Sequence, residues 1–297
     1  MAHRQAHDDQ LIADQLRSVD GSEATIDVAS PAWRDVLGSF ARLVLGVAVG
    51  LAIWEACALA FNPESSPLGF PDPVTTFKRL FEYLTLSETL YGHSVYEHLL
   101  YSMRRLFTGF GLAAVVGIVL GSILGSANRV YQIGIVPVSV YQMIPGLAWL
   151  PVAILIFGLG DASAVFIIFA VSSMVITIGV SSGIRMVPEV LVNAAKMMGA
   201  NKVTIFFKVL IPQSAASIVN ALRLGMSSAW RVLIAAEMIV GTGIGVGYSI
   251  SLTRDLLDYV GSFACITVIC LMGLLFDRLI LASVERWMRD RLGMEES

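Results

Sequence analysis

Six long apolar runs constrain the fold of this 297-residue chain more than any other feature. A helix needs about 20 predominantly apolar residues to cross a bilayer. Only 14% of the residues are charged and 56% are apolar, whereas soluble domains carry about 25% charged residues. We therefore predict an all-α polytopic membrane protein with about six transmembrane helices. They are placed at Gly38–Phe61, Leu99–Ser126, Val130–Phe157, Ala162–Gly183, Ala215–Val240 and Val260–Ser283.

The distribution of lysine and arginine predicts the orientation of these spans, because cytoplasmic loops carry an excess of both residues. With the N-terminus in the cytosol, thirteen of these residues fall on or near the cytosolic side. Only Lys78, Arg79 and Arg254 fall outside. We therefore expect both termini to lie in the cytosol.

The polar ends of the chain set its predicted organisation. Residues 1–36 are acidic and polar and lack the basic start and cleavage site of a secretory signal, so we expect a cytosolic tail there. Residues 37–285 form the predicted transmembrane domain, with a cytosolic loop at 184–214, and residues 286–297 form a second tail. The net charge of −3 offers no basic patch for nucleic acid, so no such partner is expected.

A short amphipathic helix is predicted between the first two spans. Pro71, Asp72 and Pro73 precede an apolar pattern from Val74 to Leu84 with helical spacing. Such a helix is typical of a segment that lies along the membrane interface. We predict an anchor at the outer surface here, and no further span.

Two glycine- and proline-rich spans carry different signals. Small residues recur at every fourth position of the second span from Gly109 to Gly125, a pattern typical of close helix packing in lipid.

The third span contains Pro137, Pro145 and Pro151, and each interior proline removes a helical hydrogen bond. Since freed carbonyls are tolerated only against protein or a water-filled cavity, these prolines favour a broken helix beside a transport pathway. A simple kink in a structural helix remains the alternative.

The most specific pattern lies between the fourth and fifth spans. Asn193-Ala-Ala is followed at fixed spacing by Gly199 and Pro212. Ala194 and Ala195 favour a short helix, Gly199 can end it with a positive φ, and Pro212 is expected to start the next span. The segment resembles the Glu-Ala-Ala loop of ABC importer permeases, with Asn193 in place of the glutamate. In that family, the loop docks into the ATPase subunit and transmits its closing motion.

Three further motifs narrow the resemblance. Ser102-Met-Arg-Arg105, Pro145-Gly-Leu-Ala-Trp-Leu-Pro151 and Trp230–Glu237 are similar to motifs of the nitrate, taurine, alkanesulfonate and bicarbonate permeases. The resemblance implies a type I ABC importer permease fold in a bacterial inner membrane. It also implies a small anion as solute, a second copy of the chain, two cytosolic ATPase subunits and an external solute-binding protein.

Polar and ionisable residues within spans are candidates for the pathway, because burying a charge in lipid costs roughly 2.5–3.5 kcal/mol. Arg223 and Glu237 are too far apart on one helix to pair, so each needs a partner on another helix. Arg105 and Arg231 either guide an anion or are structural, by snorkelling or by pairing with Glu237. His93 and His98 lack metal-ligand spacing, and a surface role is favoured. The candidates for the translocation path are Arg105, Gln142, Pro145, Trp149, Arg223, Trp230, Arg231 and Glu237.

The sequence contains no phosphate-binding loop and neither a His-Glu-x-x-His nor a Cys-x-x-Cys motif. We therefore expect a transport subunit that binds no cofactor of its own, with ATP and Mg used by the partner ATPase. A secondary transporter or channel subunit without an ATPase is the alternative, although no internal repeat supports it. A membrane-embedded enzyme would need a nucleophile or metal cluster, which the spans lack.

Overall fold

The computed structural model describes residues 32–61 and 69–276, and within these ranges it contains helices and no strand. The predicted all-α class is confirmed. The C-terminal tail, the end of the sixth predicted span and residues 1–31 of the N-terminal tail lie outside the described residues. The long helices are α1 Ala32–Phe61, α3 Val95–Ser126, α4 Asn128–Met143, α6 Asp161–Arg185, α9 Ala215–Val240 and α11 Tyr259–Leu275. The shorter ones are α2 Pro73–Leu84, α5 Leu150–Phe157, α7 Glu189–Met197, α8 Lys202–Ile205 and α10 Val246–Asp255.

The chain divides into two compact units, residues 1–56 and 57–297. The described part of the first unit is a single helix, the greater part of α1, which begins six residues before the predicted span. The second unit contains all the other helices.

The lengths of the helices agree with a polytopic membrane protein. Three helices, α1, α3 and α6, are long and apolar enough to cross a bilayer on their own. Two bent pairs qualify together: α4 with the segment Gly146–Phe157, and Lys202–Gln213 with α9. The apolar helix α11 has 17 residues in the described part of the chain. The short helix α10, which precedes α11, has no counterpart among the elements predicted from the sequence.

The small residues of α3 form the contact surface for α6. A Cβ on Gly117 would lie 2.7 Å from Cβ of Ile176, and a Cβ on Gly121 would lie 2.7 Å from the Thr177 carbonyl oxygen. Gly109 and Gly125 are similarly crowded by this helix. The predicted packing role of the stripe is therefore confirmed, because only residues without a side chain allow this approach.

The helix α9 also packs against α6 and completes the core. Gly179 and Gly183 of α6 lie against Ala221 and Ser217 of α9, again without room for a side chain. Further along α9, fully buried Leu233 belongs to a core shared by α3, α6 and α9. The fold thus has a central layer of three closely packed helices.

The amphipathic helix α2 begins where the sequence predicted it. Asp72 is the N-cap and accepts a hydrogen bond from the Thr75 amide at 3.0 Å. Hydrogen bonding to the Thr75 side chain, and then to its amide, holds the pKa of the Asp72 carboxyl below its usual value. One face, including Leu80 and Tyr83, is buried in a core shared with α10 and α11. A second apolar face is exposed, and it consists of Val74, Phe77, Phe81 and Leu84. This exposed face is what an interfacial anchor requires.

Candidate functional site

The third predicted span is broken sharply. The axes of Asn128–Met143 and Gly146–Phe157 differ by 94°. Pro145 explains the position, because a proline disfavours helical geometry in the residue before it. Ile144 is accordingly extended, with φ −73° and ψ 120°. A short 3₁₀ turn, Gly146–Trp149, then leads into α5.

A cavity of about 240 Å³ lies at this break. Tyr141, Gln142, Pro145 and Trp149 line one side, and α6 lines the other. The rings of Tyr141 and Trp149 are stacked, with centroids 4.5 Å apart and an interplanar angle of 22°. The structure therefore brings together three of the predicted pathway residues, Gln142, Pro145 and Trp149. No charged side chain lines the cavity within the described part of the chain.

Gly146 allows the turn at the break to pack closely against two helices, α6 and α9. A Cβ there would lie 2.9 Å from methyl groups of both Val171 on α6 and Val232 on α9. A larger residue would therefore push the turn away from the core.

A buried carboxylate forms the centre of a second cluster. Glu237 on α9 has no exposed surface. Its carboxylate accepts hydrogen bonds from Arg105 Nη1 at 2.6 Å, from Ser102 Oγ at 2.8 Å and from the Gly247 amide at 2.9 Å. The partner of Glu237 on another helix is thus Arg105 on α3. A buried charge is tolerated when it is paired and hydrogen-bonded in this way.

Arg105 bridges two carboxylates. Its side chain is 2% exposed, and Nε also donates to Asp161 Oδ1 at 2.8 Å. Nη2 lies 2.8 Å from the same oxygen but forms no aligned hydrogen bond. Asp161 begins α6 and is 52% exposed. Arg105 therefore faces neighbouring helices, and both of its ion-pair partners belong to this chain.

Of the alternatives for the two arginines, pairing with Glu237 holds for Arg105 and is excluded for Arg231. Arg231 is exposed, and its Nη2 lies 3.3 Å from the hydroxyl oxygen of Ser228 on the same helix. Six residues of helix rotate a side chain by about 240°, so positions 231 and 237 cannot face the same neighbour. Trp230 is 6% exposed and packs edge-on against Phe276. Arg223, another of the candidates for the translocation path, is only partly buried.

The surface role favoured for His98 is also wrong. His98 is 2% exposed, and its Nδ1 accepts the Gly245 amide hydrogen at 3.0 Å. Nε2 then carries the proton and donates to the Leu90 carbonyl at 3.2 Å. The Ser249 hydroxyl lies 3.0 Å from Nδ1. His93, by contrast, is exposed and lies 3.5 Å from a carboxylate oxygen of Glu97.

The glycine-rich loop between α9 and α10 allows close packing around Arg105 and Glu237. Gly241, Gly243 and Gly245 all have positive φ, which an alternating glycine pattern can adopt at little cost. A Cβ on Gly245 would lie 2.7 Å from both Arg105 Nη1 and Glu237 Oε1. The Gly-Thr-Gly-Ile-Gly sequence is the available signal for this loop, and the prediction from sequence does not include it.

The elbow, defined as residues 184–214, has two helical arms. The helix α7 ends at Met197, Gly199 has φ +80°, and its amide donates to the Lys196 carbonyl at 3.0 Å. The predicted positive φ at Gly199 is confirmed. Asn201 then caps α8 by accepting from the Thr204 amide at 2.8 Å. Asn193 and Ala194 are at least partly exposed on α7, whereas Ala195 is buried.

Pro212 does not start the next span. The second arm runs from α8 through a π turn at Phe206–Leu210 to Gln213, and Pro212 lies near its end. A bend of 64° separates this arm from α9. The proline is tolerated because it occupies the first turn of the short helix Ile211–Gln213.

Comparison with known proteins places the chain among transport proteins. A family model described as "Binding-protein-dependent transport system inner membrane component" matches residues 117–290. A putative ABC transporter permease protein of Methanocaldococcus jannaschii is 34% identical over 231 residues, or 78% of this chain and 85% of that protein. The nitrate import permease protein of Synechocystis is 32% identical, covering 80% and 86%. The taurine transport system permease protein of Escherichia coli is 27% identical, covering 82% and 88%.

A solved structure shares the fold. The methionine ABC transporter MetNI, in an inward-facing conformation, matches with a TM-score of 0.57 at 18% identity. The match covers 64% of this chain and 93% of that chain. At this identity the likeness concerns the fold alone.

Proposed function

The chain belongs to the family of binding-protein-dependent transport system inner membrane components, and we propose that it carries a small anion. In that role it is the membrane-spanning permease subunit of an ABC importer. The alternative of a secondary transporter or channel subunit loses its support, because permeases of this family work with a separate ATPase subunit. The location in a membrane as a multi-pass protein follows from the family and from the apolar helices.

The proposed solute class rests on the relatives. The related permeases are named for nitrate and for taurine, which are small anions or carry an anionic group. A sulfonate, nitrate or bicarbonate is the class we propose for this chain. The cavity at the break in the third span is the proposed part of the path, because Gln142 and Trp149 present polar groups there beside apolar walls.

The charged candidates have a different proposed role. Arg105 is enclosed by Glu237 and Asp161, and it does not line the cavity at the break. We therefore assign Arg105 and Glu237 to the scaffold that fixes the loop at 241–245. Recognition of the anionic charge then falls chiefly to the external binding protein, and the path in this chain supplies neutral contacts.

The proposed assembly follows the family. Two copies of this chain would pair, because about six spans make half of a usual pathway, and each would bind one cytosolic ATPase subunit. ATP and Mg would be used by those subunits. An external solute-binding protein would deliver the anion, and both termini of this chain would lie in the cytosol, as the distribution of lysine and arginine favours.

The elbow carries the coupling proposal. Its tip presents Met197 and Met198, which are 84% and 82% exposed, next to the fixed turn at Gly199. Exposed methionines suit a protein-docking surface, because their flexible side chains adapt to a partner. Asn193, Ala194, Ala195, Gly199 and Pro212 are the residues proposed to form or shape this docking element.

Substitution of Gly199 tests the coupling proposal. A Cβ at this position would meet no atom within 4 Å, so only the positive φ opposes a side chain. A left-handed conformation costs roughly 1–2 kcal/mol for ordinary L-residues, and asparagine tolerates it best. We expect Gly199→Val to reduce ATP-dependent uptake into proteoliposomes and Gly199→Asn to stay near wild type.

A matched control is available on α3. A Cβ on Gly111 would also meet no atom within 4 Å, but the helical φ of this residue makes no demand for glycine. Gly111→Val should therefore leave uptake unchanged. Full ATP-dependent uptake by Gly199→Val would contradict the assignment of the elbow as the coupling element.

A further inference from the structure

A second cleft lies between the elbow and the end of α3. It has a volume of about 510 Å³ and is lined by Ser126 and Ala127, by Val192 and Lys196 from the first arm, and by six residues of the second arm: Lys202, Val203, Ile205, Phe206, Phe207 and Leu210. Pockets that hold drug-sized molecules measure roughly 300–1,000 Å³. The cleft falls in that range, so it has room for a ligand much larger than a phosphate ion.

The charge on the cleft has one sign. Lys196 and Lys202 are both exposed and both line it, and no carboxylate lines it within the described residues. Lys196 Nζ lies 3.4 Å from Asn193 Oδ1, a neutral partner. The whole elbow carries four cationic side chains against one carboxylate, Glu189. The cleft is therefore suited to an anionic group.

The inner wall of the cleft is apolar. Val203, Phe206, Phe207 and Leu210 all come from the second arm, and the two phenylalanine rings meet edge to face at 4.9 Å. Phe207 is 65% exposed. Phe206, Phe207 and Leu210 belong to the π turn at Phe206–Leu210, and such turns are often found at functional sites. An exposed apolar wall beside two cations fits a ligand that is both anionic and lipophilic.

The position of the cleft points to the source of that ligand. Ser126 is the last residue of a 32-residue spanning helix, so the cleft lies where a span leaves the hydrocarbon. Arg185, at the same end of α6, donates to Asn128, the residue after Ala127. Basic pockets at the cytoplasmic boundary of spans are suited to anionic lipid headgroups.

We propose that this cleft binds an anionic phospholipid, with the phosphate between Lys196 and Lys202 and the upper acyl chain against Phe206 and Phe207. The proposal rests on the proposed function for the cytosolic placement of the elbow. A lipid held there would bridge the elbow and the end of α3, so it would also stiffen the element proposed to transmit motion from the ATPase.

Lipid retention by the purified complex of permease and ATPase tests the proposal. The complex is exchanged into nanodiscs of phosphatidylcholine with a graded fraction of phosphatidylglycerol, and retained phosphatidylglycerol is measured by native mass spectrometry after release into detergent. Loss of one basic contact at a membrane surface weakens binding about fivefold. We expect that loss for Lys196→Gln and for Lys202→Gln, and a larger loss for the double variant.

Two further variants separate the possible ligands. Lys208→Gln is the matched control, because Lys208 is exposed on the same arm but does not line the cleft. It should retain lipid as wild type does. Phe207→Ala should lower phosphatidylglycerol retention several-fold without changing any binding of inorganic phosphate. Equal loss in Lys208→Gln, or displacement of the lipid by millimolar phosphate, would overturn the proposal in favour of diffuse charge or a free-anion site.

A protein ligand predicts a different outcome. If the cleft receives the ATPase, the lysine variants would lose that subunit while the remaining permease retained lipid, and the lipid proposal would be wrong. Uptake is measured separately. Lipid retention with no transport of any anion would refute the proposed solute class and leave the lipid site standing.

Discussion

Removal of Arg105 is the sharpest test of whether the buried charges are structural. In Arg105→Gln, the carboxylate of Glu237 would remain in a site with no exposed surface and would keep only Ser102 and the Gly247 amide as donors. Removing one partner of a buried ion pair costs about 3–5 kcal/mol, because the other charge is left uncompensated. We expect a marked fall in the yield of folded complex and in its apparent Tm.

Neutralising the opposite partner should cost less. In Glu237→Gln, Arg105 keeps the carboxylate of Asp161 at 2.8 Å, and the amide oxygen can still accept from Gly247. The loss of charge-assisted hydrogen bonds costs about 1.5–3 kcal/mol. The double variant should be more stable than Arg105→Gln alone, with a coupling energy of about 1–3 kcal/mol. Asp161→Asn should cost at most about 1 kcal/mol, because Asp161 is 52% exposed.

The assay must separate folding from transport. The yield of assembled complex, its apparent Tm and the uptake per assembled complex are measured for each variant. Arg231→Gln is the control, because this arginine is exposed and its Nη2 lies 3.3 Å from a neutral hydroxyl. If Arg105→Gln assembles and melts like wild type but loses uptake per complex, the scaffold assignment is refuted and Arg105 contacts the anion.

Three other substitutions give independent tests. Gly117→Leu should prevent the approach of α3 to α6 and abolish assembly, because even a Cβ would lie 2.7 Å from Ile176. The control Gly111→Leu should assemble normally. Equal yields of the two variants would show that the small residues of α3 are not the contact surface. His98→Gln should lower the apparent Tm by removing the acceptor for the Gly245 amide, and an unchanged Tm would exclude a role in holding that loop. Lys78→Cys should react with an impermeant reagent from outside intact cells and Lys208→Cys only after permeabilisation; the opposite pattern would reverse the proposed orientation.

Much of the fold can be predicted because its signals are local. The length of an apolar run determines whether a helix can cross the bilayer, and the starts and ends of the second and fifth predicted spans agree with α3 and α9 within a few residues. The break at Pro145 and the positive φ of Gly199 depend on single residues and their neighbours. The small residues of α3 likewise indicate a contact surface, although not which helix occupies it.

The partners of the buried polar groups cannot be predicted in this way. From the sequence, Glu237 can pair with either Arg231, six residues away, or Arg105, 132 residues away, and only the structure shows that the partner is Arg105. The polar segment around His98 favours a surface position, yet a hydrogen bond from the Gly245 amide, 147 residues away, holds the ring in the interior. Neither separation leaves a signal in a single sequence.

The sequence by itself thus determined the long helices, the broken span, the elbow and the family to which the chain belongs, because each depends on residues close together along the chain. Only the tertiary structure decided that α3, α9 and the glycine loop at 241–245 enclose one buried charge network, and that the neutral residues Gln142 and Trp149 meet at a cavity. The physical reason is that a buried charge takes whichever partner the packing of distant helices brings within about 3 Å, and helix packing is a property of the whole chain.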